Sequence, residues 1–302
     1  MALLSPSPAL DSSSTGQGTD STRRRDYTRA IGTILVAAGR LEQTDVDEIR
    51  IYAGRTGMRF GDAAVQLNKA TPEDIQFALA RQFNYALIPN DLGVHKAVIA
   101  AHNPQCKVVE QLRTIRSRLL LGWLNEAERK VLAITSPERG EGRSWLAANL
   151  ATVFAQAGKR TLLIDADLRH PQQHRMFNIE NDLGLTALLT GRAGGEVAHR
   201  VHPQLRLFVV TAGQVPPNPQ ELLMRQIFDA VLDRYAARFD LVVLDTPAAT
   251  ETADAEILAA HAGAAILLMR RNSTRRAKLA QAMDSLQRSG AKVIGSVINE
   301  EC

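Results

Sequence analysis

Apolar residues recur at helical spacing from Tyr27 to about Pro89. Ile31, Ile34, Leu35 and Leu41 open the series, and Val46, Ile49 and Ile51 continue it. Ala63, Ala64, Val65 and Leu67 follow, then Ile75, Ala78 and Leu79. Two helix starts carry caps: Thr44 before Asp45-Val46-Asp47-Glu48, and Thr71 before Pro72-Glu73-Asp74, with proline in the first turn and acids near the positive helix end. Ala30–Gly39 echoes Arg59–Asn68, and each copy is followed by an acidic helix start. The pattern predicts a small all-helical domain over 27–89, made of two similar halves.

Further along, the period changes. Short β-branched runs at Val131–Thr135, Thr161–Asp165, Leu205–Val210, Leu241–Asp245, Ala264–Met269 and Val293–Ile298 alternate with amphipathic stretches. This alternation predicts an α/β domain, doubly wound, with a mostly parallel sheet and helices on both faces. Residues 1–26, rich in Ser, Thr, Pro and Gly and ending in Arg23-Arg24-Arg25, read as a disordered tail. Residues 90–106 read as a linker, and the α/β domain as 107–302.

Composition narrows the function. Hydrophobic residues are 45% and charged residues 23%, as in a globular protein with a proper core. The net charge of +4 suits phosphate ligands without being a nucleic-acid signature, and 5% aromatics supply few stacking platforms. Cys106 and Cys302 lack metal-type spacing and read as unbridged thiols of a reducing compartment. No segment has the form of a signal peptide or approaches the ~20 apolar residues of a membrane span. A cytoplasmic location is expected, with any membrane role exerted through a partner.

The candidate chemistry begins after the first strand. Ser136-Pro137-Glu138-Arg139-Gly140-Glu141-Gly142-Arg143-Ser144-Trp145 joins it to the helical run Leu146–Gln156. Such a turn aims backbone N–H groups at one point, where the helix dipole favours an anion. Gly140 and Gly142 let the backbone approach phosphate oxygens, and Ser144 is placed to offer its hydroxyl to Mg²⁺. The match to G-x-x-x-x-G-K-[ST] is imperfect, with Pro137 at the first Gly position and Arg143 at the Lys position.

Two further strands end in acids: Thr161–Asp165 continues into Ala166-Asp167-Leu168-Arg169, and Leu241–Asp245 into Thr246-Pro247. In a doubly wound sheet, ligands sit beyond the C-terminal strand ends, so loop and acids converge on one crevice. Asp residues there can hold Mg²⁺ directly or through its waters.

In this order the loop, Asp165-x-Asp167-Leu168-Arg169-x-Pro171 and Asp245-x-Pro247 resemble the bacterial tyrosine kinases of exopolysaccharide export, relatives of the deviant-Walker partition ATPases. Glu110-Gln111-Leu112-Arg113-Thr114-Ile115-Arg116 matches that family's E-x-x-R-x-x-R helix, implied to drive ring-like self-association through Glu110, Arg113 and Arg116. Pro216–Leu223 and Val297-Ile298-Asn299 agree as well, the latter placing Asn299 near a nucleotide base. The resemblance implies ATP and Mg²⁺ as cofactors and Asp165 as general base. It places Asp167 and Arg143 beside Asp165 in catalysis. The nucleotide would be held by Gly140, Glu141, Gly142, Arg143, Ser144, Trp145 and Asn299, and the metal by Ser144, Asp167 and Asp245. A membrane chain-length determinant, Wzz-like, is the implied partner.

The repeated I/F-G-x-x-x-V motif of 27–89 resembles the N-terminal domain of type II secretion and type IV pilus ATPases, which implies cyclic di-GMP as a ligand. The joining of the two parts is similar to the chain-length-determinant kinases of exosortase-associated exopolysaccharide clusters.

The chain departs from the pattern in places. Glu138 stands where relatives place an additional lysine, and Trp145 replaces a small hydroxyl residue. Tyr27, Tyr52, Tyr85 and Tyr235 are scattered, so phosphorylation of a tyrosine-rich tail is not expected. Two readings stay open. One is an ATP-dependent tyrosine kinase or ATPase regulating polysaccharide polymerisation, chain length and export. The other is a nucleotide-gated oligomerisation module that controls the membrane partner with phosphotransfer vestigial.

Overall fold

A computed structural model describes residues 31–82, 93–126, 130–193 and 197–300. The expected tail of residues 1–26, Tyr27, Tyr85, Cys302 and the boundary at 89 lie outside the described residues. The chain divides into two compact units, Met1–Tyr85 and Ala86–Cys302.

The first unit contains α1 (31–37), α2 (Gln43–Thr56), α3 (Phe60–Gln66) and α4 (Pro72–Gln82). Leu35, Val46, Ile49, Phe60, Ala63, Ala64 and Ala78 form its core. The echo in the sequence is a structural repeat. Gly32 and Gly61 each abut a residue 14 positions on: an added Cβ would come 2.8 Å from Val46 Cγ1 and 2.8 Å from Ile75 Cγ2. Gly39 and Asn68 end the paired first helices in the left-handed region, at φ 67° and 53°. The halves then exchange ion pairs. Lys69 of the second half holds Asp45 of the first at 2.8 Å, and Arg40 of the first holds Asp74 of the second at 2.6 Å.

Thr71 caps α4 as expected. Its Oγ1 accepts the Asp74 N–H (3.2 Å) and its own N–H donates to Asp74 Oδ2 (2.9 Å). In the first half the cap is Glu42, not Thr44. Asp45 reaches back to the Glu42 N–H (3.1 Å), so the reciprocal box closes two residues earlier.

The second unit runs α5 (Ile99–His102), α6 (Lys107–Leu121), α7 (Trp123–Glu126), β1 (Val131–Thr135), α8 (Arg143–Gln156) and β2 (Thr161–Asp165). It continues with α9 (Gln173–Met176), α10 (Leu185–Leu189), β3 (His199–Arg200), β4 (Leu207–Val210), α11 (Pro219–Leu223) and α12 (Ile227–Ala236). β5 (Leu241–Asp245), α13 (Asp254–Ala262), β6 (Ala264–Arg270), α14 (Arg276–Arg288) and β7 (Lys292–Asn299) complete it. The sheet order is β3-β4-β2-β5-β1-β6-β7, parallel throughout except that β3 pairs antiparallel with β4. β1, β2 and β5 are buried along their whole length. They read as unbroken apolar runs because helices cover both faces. Val131 and Ala133 face one core cluster with α12 and α13, while Leu132 and Ile134 face another with α6 and α8. β4 begins two residues later than expected, because Leu205 closes a turn onto His202. β3, short and exposed, had no apolar signature.

The stretch expected to be a linker is instead structured from Gly93 onward. Val94, Val98, Ala100 and Ala101 are buried in the core. Buried amides of α8 satisfy its backbone. Asn149 Oδ1 accepts the Ala100 N–H (3.0 Å), Asn149 Nδ2 donates to Ala97 O (3.0 Å), and Gln156 Nε2 donates to Ala100 O (2.7 Å). Among the described residues no helix is long and apolar enough to cross a membrane.

Candidate active site

β1 feeds the loop 136–142 into the N-terminus of α8. Gly140 and Gly142 adopt φ 78° and 102°, conformations that a side chain would strain. A Cβ on Gly142 would lie 2.6 Å from Asn299 Nδ2, which itself donates to Glu141 O (2.9 Å). Asn299, at the end of β7, therefore buttresses the loop.

Three residues of the loop and its helix start have side chains engaged within the protein. The Arg143 side chain is buried and faces inward: Nε donates to Thr246 O (2.9 Å), and Nη1 to Ser136 Oγ and Glu138 O (2.7 Å each). Three of its N–H groups are thus engaged in bracing the loop against the end of β5, a span for which the guanidinium fork is suited and a single ammonium is not. Glu141 is also turned into the protein. Oε2 accepts the Glu138 N–H (2.9 Å), and Oε1 accepts a short hydrogen bond from the Thr274 hydroxyl. Trp145, partly buried, packs against the core.

The carboxylates come together as expected. β2 and β5 are neighbours, and their register sets Asp165 directly beside Asp245. Asp165 Oδ2 accepts the backbone N–H groups of Gln172 (2.9 Å) and Gln173 (2.8 Å). Gln173 Nε2 donates to Asp245 Oδ2 (2.7 Å) and to Ser144 O (3.0 Å). Asp167 is 5% exposed, and its Oδ1 accepts the N–H groups of Arg169 (3.2 Å) and His170 (2.9 Å). Arg169 grips the buried Asp254 through Nε (2.7 Å) and Nη2 (3.3 Å), tying the segment after β2 to the start of α13.

Burial pushes the Asp165 carboxyl well above the usual carboxylate range, and the Asp245 charge pushes it further. Burial also raises Asp245 to about 6, against the pull of its hydrogen bond from Gln173. Between the ordinary carboxylate value and about pH 6, the folded protein therefore holds a proton on Asp245 that the unfolded chain has already released. The stability this contributes is present at low pH and is lost as the pH rises through about 6. Asp245→Asn is expected to flatten the pH dependence of stability between pH 4 and 6. Urea midpoints of both proteins across that range check it, an unchanged slope being the contrary result.

Asp165 Oδ1, Asp245 Oδ1 and Gln173 Oε1 are buried and have no hydrogen-bond partner in the protein. Orphaned acceptor oxygens at strand ends, beside a serine at a helix N-terminus, fit Mg²⁺, which takes few protein ligands and completes its shell with water and substrate phosphates.

Residues 132–301 match the model of the CobQ/CobB/MinD/ParA nucleotide binding domain. The tyrosine-protein kinase YwqD of Bacillus subtilis (strain 168) is 38% identical over 206 residues, covering 68% of this chain and 86% of that protein. The chain belongs to the bacterial tyrosine-protein kinases. The solved kinase domain of the Escherichia coli tyrosine kinase ETK superposes on this family member with a TM-score of 0.64, at 32% identity, over 67% of this chain and 79% of that one. Some relatives are much longer. The tyrosine-protein kinase ptk of Acinetobacter johnsonii is 32% identical over 203 residues, which are 67% of this chain and 28% of that protein.

Gln172, Gln173 and Asp254 were missed from the sequence, where nothing local marks them. In α6, where the resemblance implied self-association, Glu110 is exposed and pairs with Arg113 (2.9 Å), while Arg116 donates to Val153 O (3.0 Å) and anchors α6 on α8.

Proposed function

We propose that this chain is an ATP- and Mg²⁺-dependent protein-tyrosine kinase that regulates exopolysaccharide polymerisation, chain length and export. The observation that carries the reading is Asp165 Oδ1: buried, unpartnered, and held beside Asp245 at the mouth of the phosphate loop. Asp165 takes the tyrosine hydroxyl proton as the new O–P bond forms and the bond from the γ-phosphorus to the β,γ-bridging oxygen breaks, releasing ADP. A carboxyl raised above its ordinary range is a stronger base once ionised. Backbone N–H groups from Gly140 to Trp145 cradle the phosphates, with Arg143 bracing that cradle from behind and Asn299 supporting it near the base. Ser144, Asp167 and Asp245 would hold Mg²⁺, which would supply neutralisation of the charge developing on the phosphates. Catalysis here is positioning and charge neutralisation.

The protein works at the cytoplasmic face of the inner membrane through a Wzz-like chain-length determinant, and the exposed Glu110 and the Arg113 helix supply a self-association surface. In the first unit, the swapped ion pairs and matched glycines favour a second reading, that 27–89 takes a ligand of like two-fold symmetry such as cyclic di-GMP. Calorimetry with cyclic di-GMP tests this, and absence of saturable heat removes it.

The kinase reading is tested with Mg-ATP and the cytosolic part of the membrane partner as tyrosine-bearing acceptor. Phosphotyrosine read by mass spectrometry is the expected result. None in any condition, with nucleotide binding retained, replaces this reading with a nucleotide-gated assembly module.

A further inference from the structure

Gln173 lies outside the loop and strand-end motifs, yet it bonds to Asp165, Asp245 and Ser144 together. Its backbone N–H donates to Asp165 Oδ2, and its side-chain amide bridges Asp245 Oδ2 and Ser144 O. The residue is 0% exposed. Both hydrogens of its Nε2 are used, one on the carboxylate and one on the carbonyl at the start of α8. A single residue thereby joins the ends of β2, β5 and the phosphate-loop helix, β2 through its backbone N–H and the other two through its side chain.

This geometry has a consequence for the free oxygens. Each aspartate has one oxygen tied down by Gln173, alone or with Gln172, and the other left buried without a partner. Rotation of either carboxylate to bring its second oxygen elsewhere would break a hydrogen bond in a dry site, which is costly. The amide therefore selects which oxygen of Asp245 faces the ligand. Gln173 Oε1, also buried and unpartnered, has its orientation set by the two bonds at Nε2 and remains available to accept from a ligand in the crevice.

We propose that Gln173 is the positioning residue of the metal site: it orients Asp245 and Ser144 for the divalent cation without itself being required for nucleotide binding. This rests on the reading of the crevice as a Mg-nucleotide site. Groups that hold a metal ligand in place typically change metal affinity by roughly 10–100-fold when removed, and the bridge here restrains a carboxylate and a loop carbonyl together. A merely structural amide would instead alter stability and affect cation and nucleotide binding alike.

The full chain and its Gln173→Leu and Gln173→Asn variants are titrated with Mn²⁺ in the presence of ADP, free Mn²⁺ being read by electron paramagnetic resonance. ADP affinity without metal is measured by calorimetry. Both substitutions keep the backbone N–H to Asp165, and the shorter amide of Asn preserves polarity should Leu fail to fold. The expected result is Mn²⁺ binding weaker by about 10–100-fold, with metal-free ADP affinity within a few-fold of the unsubstituted chain. Unchanged Mn²⁺ affinity in the folded variants overturns the role of Gln173. Equal weakening of Mn²⁺ and metal-free ADP binding also overturns it, in favour of a structural amide. Failure of the unsubstituted chain to bind Mn²⁺ with ADP overturns the underlying metal reading instead.

Discussion

Asp165→Asn is expected to lower tyrosine-kinase turnover by about 10²–10⁴-fold, the span general-base removal commonly produces, while nucleotide affinity stays within a few-fold. The substitution is close to isosteric. An asparagine can turn its carbonyl oxygen to the Gln172 and Gln173 N–H groups, which already occupy one oxygen of Asp165. Its NH₂ group then takes the position of the unpartnered Oδ1. The local fold keeps its hydrogen bonds, and the repulsion between the neighbouring carboxylates is relieved. What disappears is the capacity to accept a proton. Steady-state kinetics and ADP calorimetry on the same preparation check the split. Parallel loss of turnover and affinity would show that Asp165 binds substrate and is not the base.

Gly184→Ala is expected to be among the most destabilising single methyl additions in the α/β unit. An added Cβ would sit 2.1 Å from Thr211 O and 2.5 Å from Gly213 N. Both obstacles are backbone. They are held in place because Leu185 N–H donates to Thr211 O (2.8 Å), while Asn181 exchanges two bonds with Gly213 (2.9 and 3.0 Å). The glycine φ of −152° is extended, so the penalty is spatial and not conformational. Overpacking costs about 1–3 kcal/mol, occasionally more, and a site with no yielding side chain belongs at the upper end. At about 2–4 °C per kcal/mol for a domain of 150–250 residues, 3 kcal/mol lowers Tm by roughly 6–12 °C. Gly295→Ala, with nothing within 4 Å of its Cβ, is the control. Melting curves that coincide for the two variants would show that the segment before α10 can move aside.

The effect would extend beyond stability. The segment 181–185 is fastened to the end of β4, and β4 pairs with β2. β2 carries Asp165 into the crevice, so a displaced 181–185 segment would bear on the base through one intervening strand.

Some of this was legible in the residue order, and for a physical reason. β1, β2 and β5 begin and end where their apolar runs do, because strands buried on both faces have no alternative to continuous hydrophobicity. Asp165 and Asp245 close such runs, and a parallel sheet brings like ends to one edge, so their meeting followed from topology. The 29-residue echo in the first unit was readable because each half repeats the same small residue for the same close contact, Gly32 on Val46 and Gly61 on Ile75.

Other features arose only when the chain closed on itself. Gln173 reaches Asp245 across 72 positions, Arg143 reaches Thr246 across 103, and Asn149 reaches Ala100 across 49. A buried polar side chain goes where an unsatisfied group lies, and that place is set by packing of distant elements, not by local spacing. Hence the stretch expected to be a linker became part of the core, and the loop arginine became a brace. The sequence by itself determined the central strands, the mostly parallel sheet they belong to and the edge at which the acids gather. The tertiary structure alone decided which oxygen of each acid is tied and which is left free, because that choice belongs to hydrogen-bond donors brought in from elsewhere in the chain.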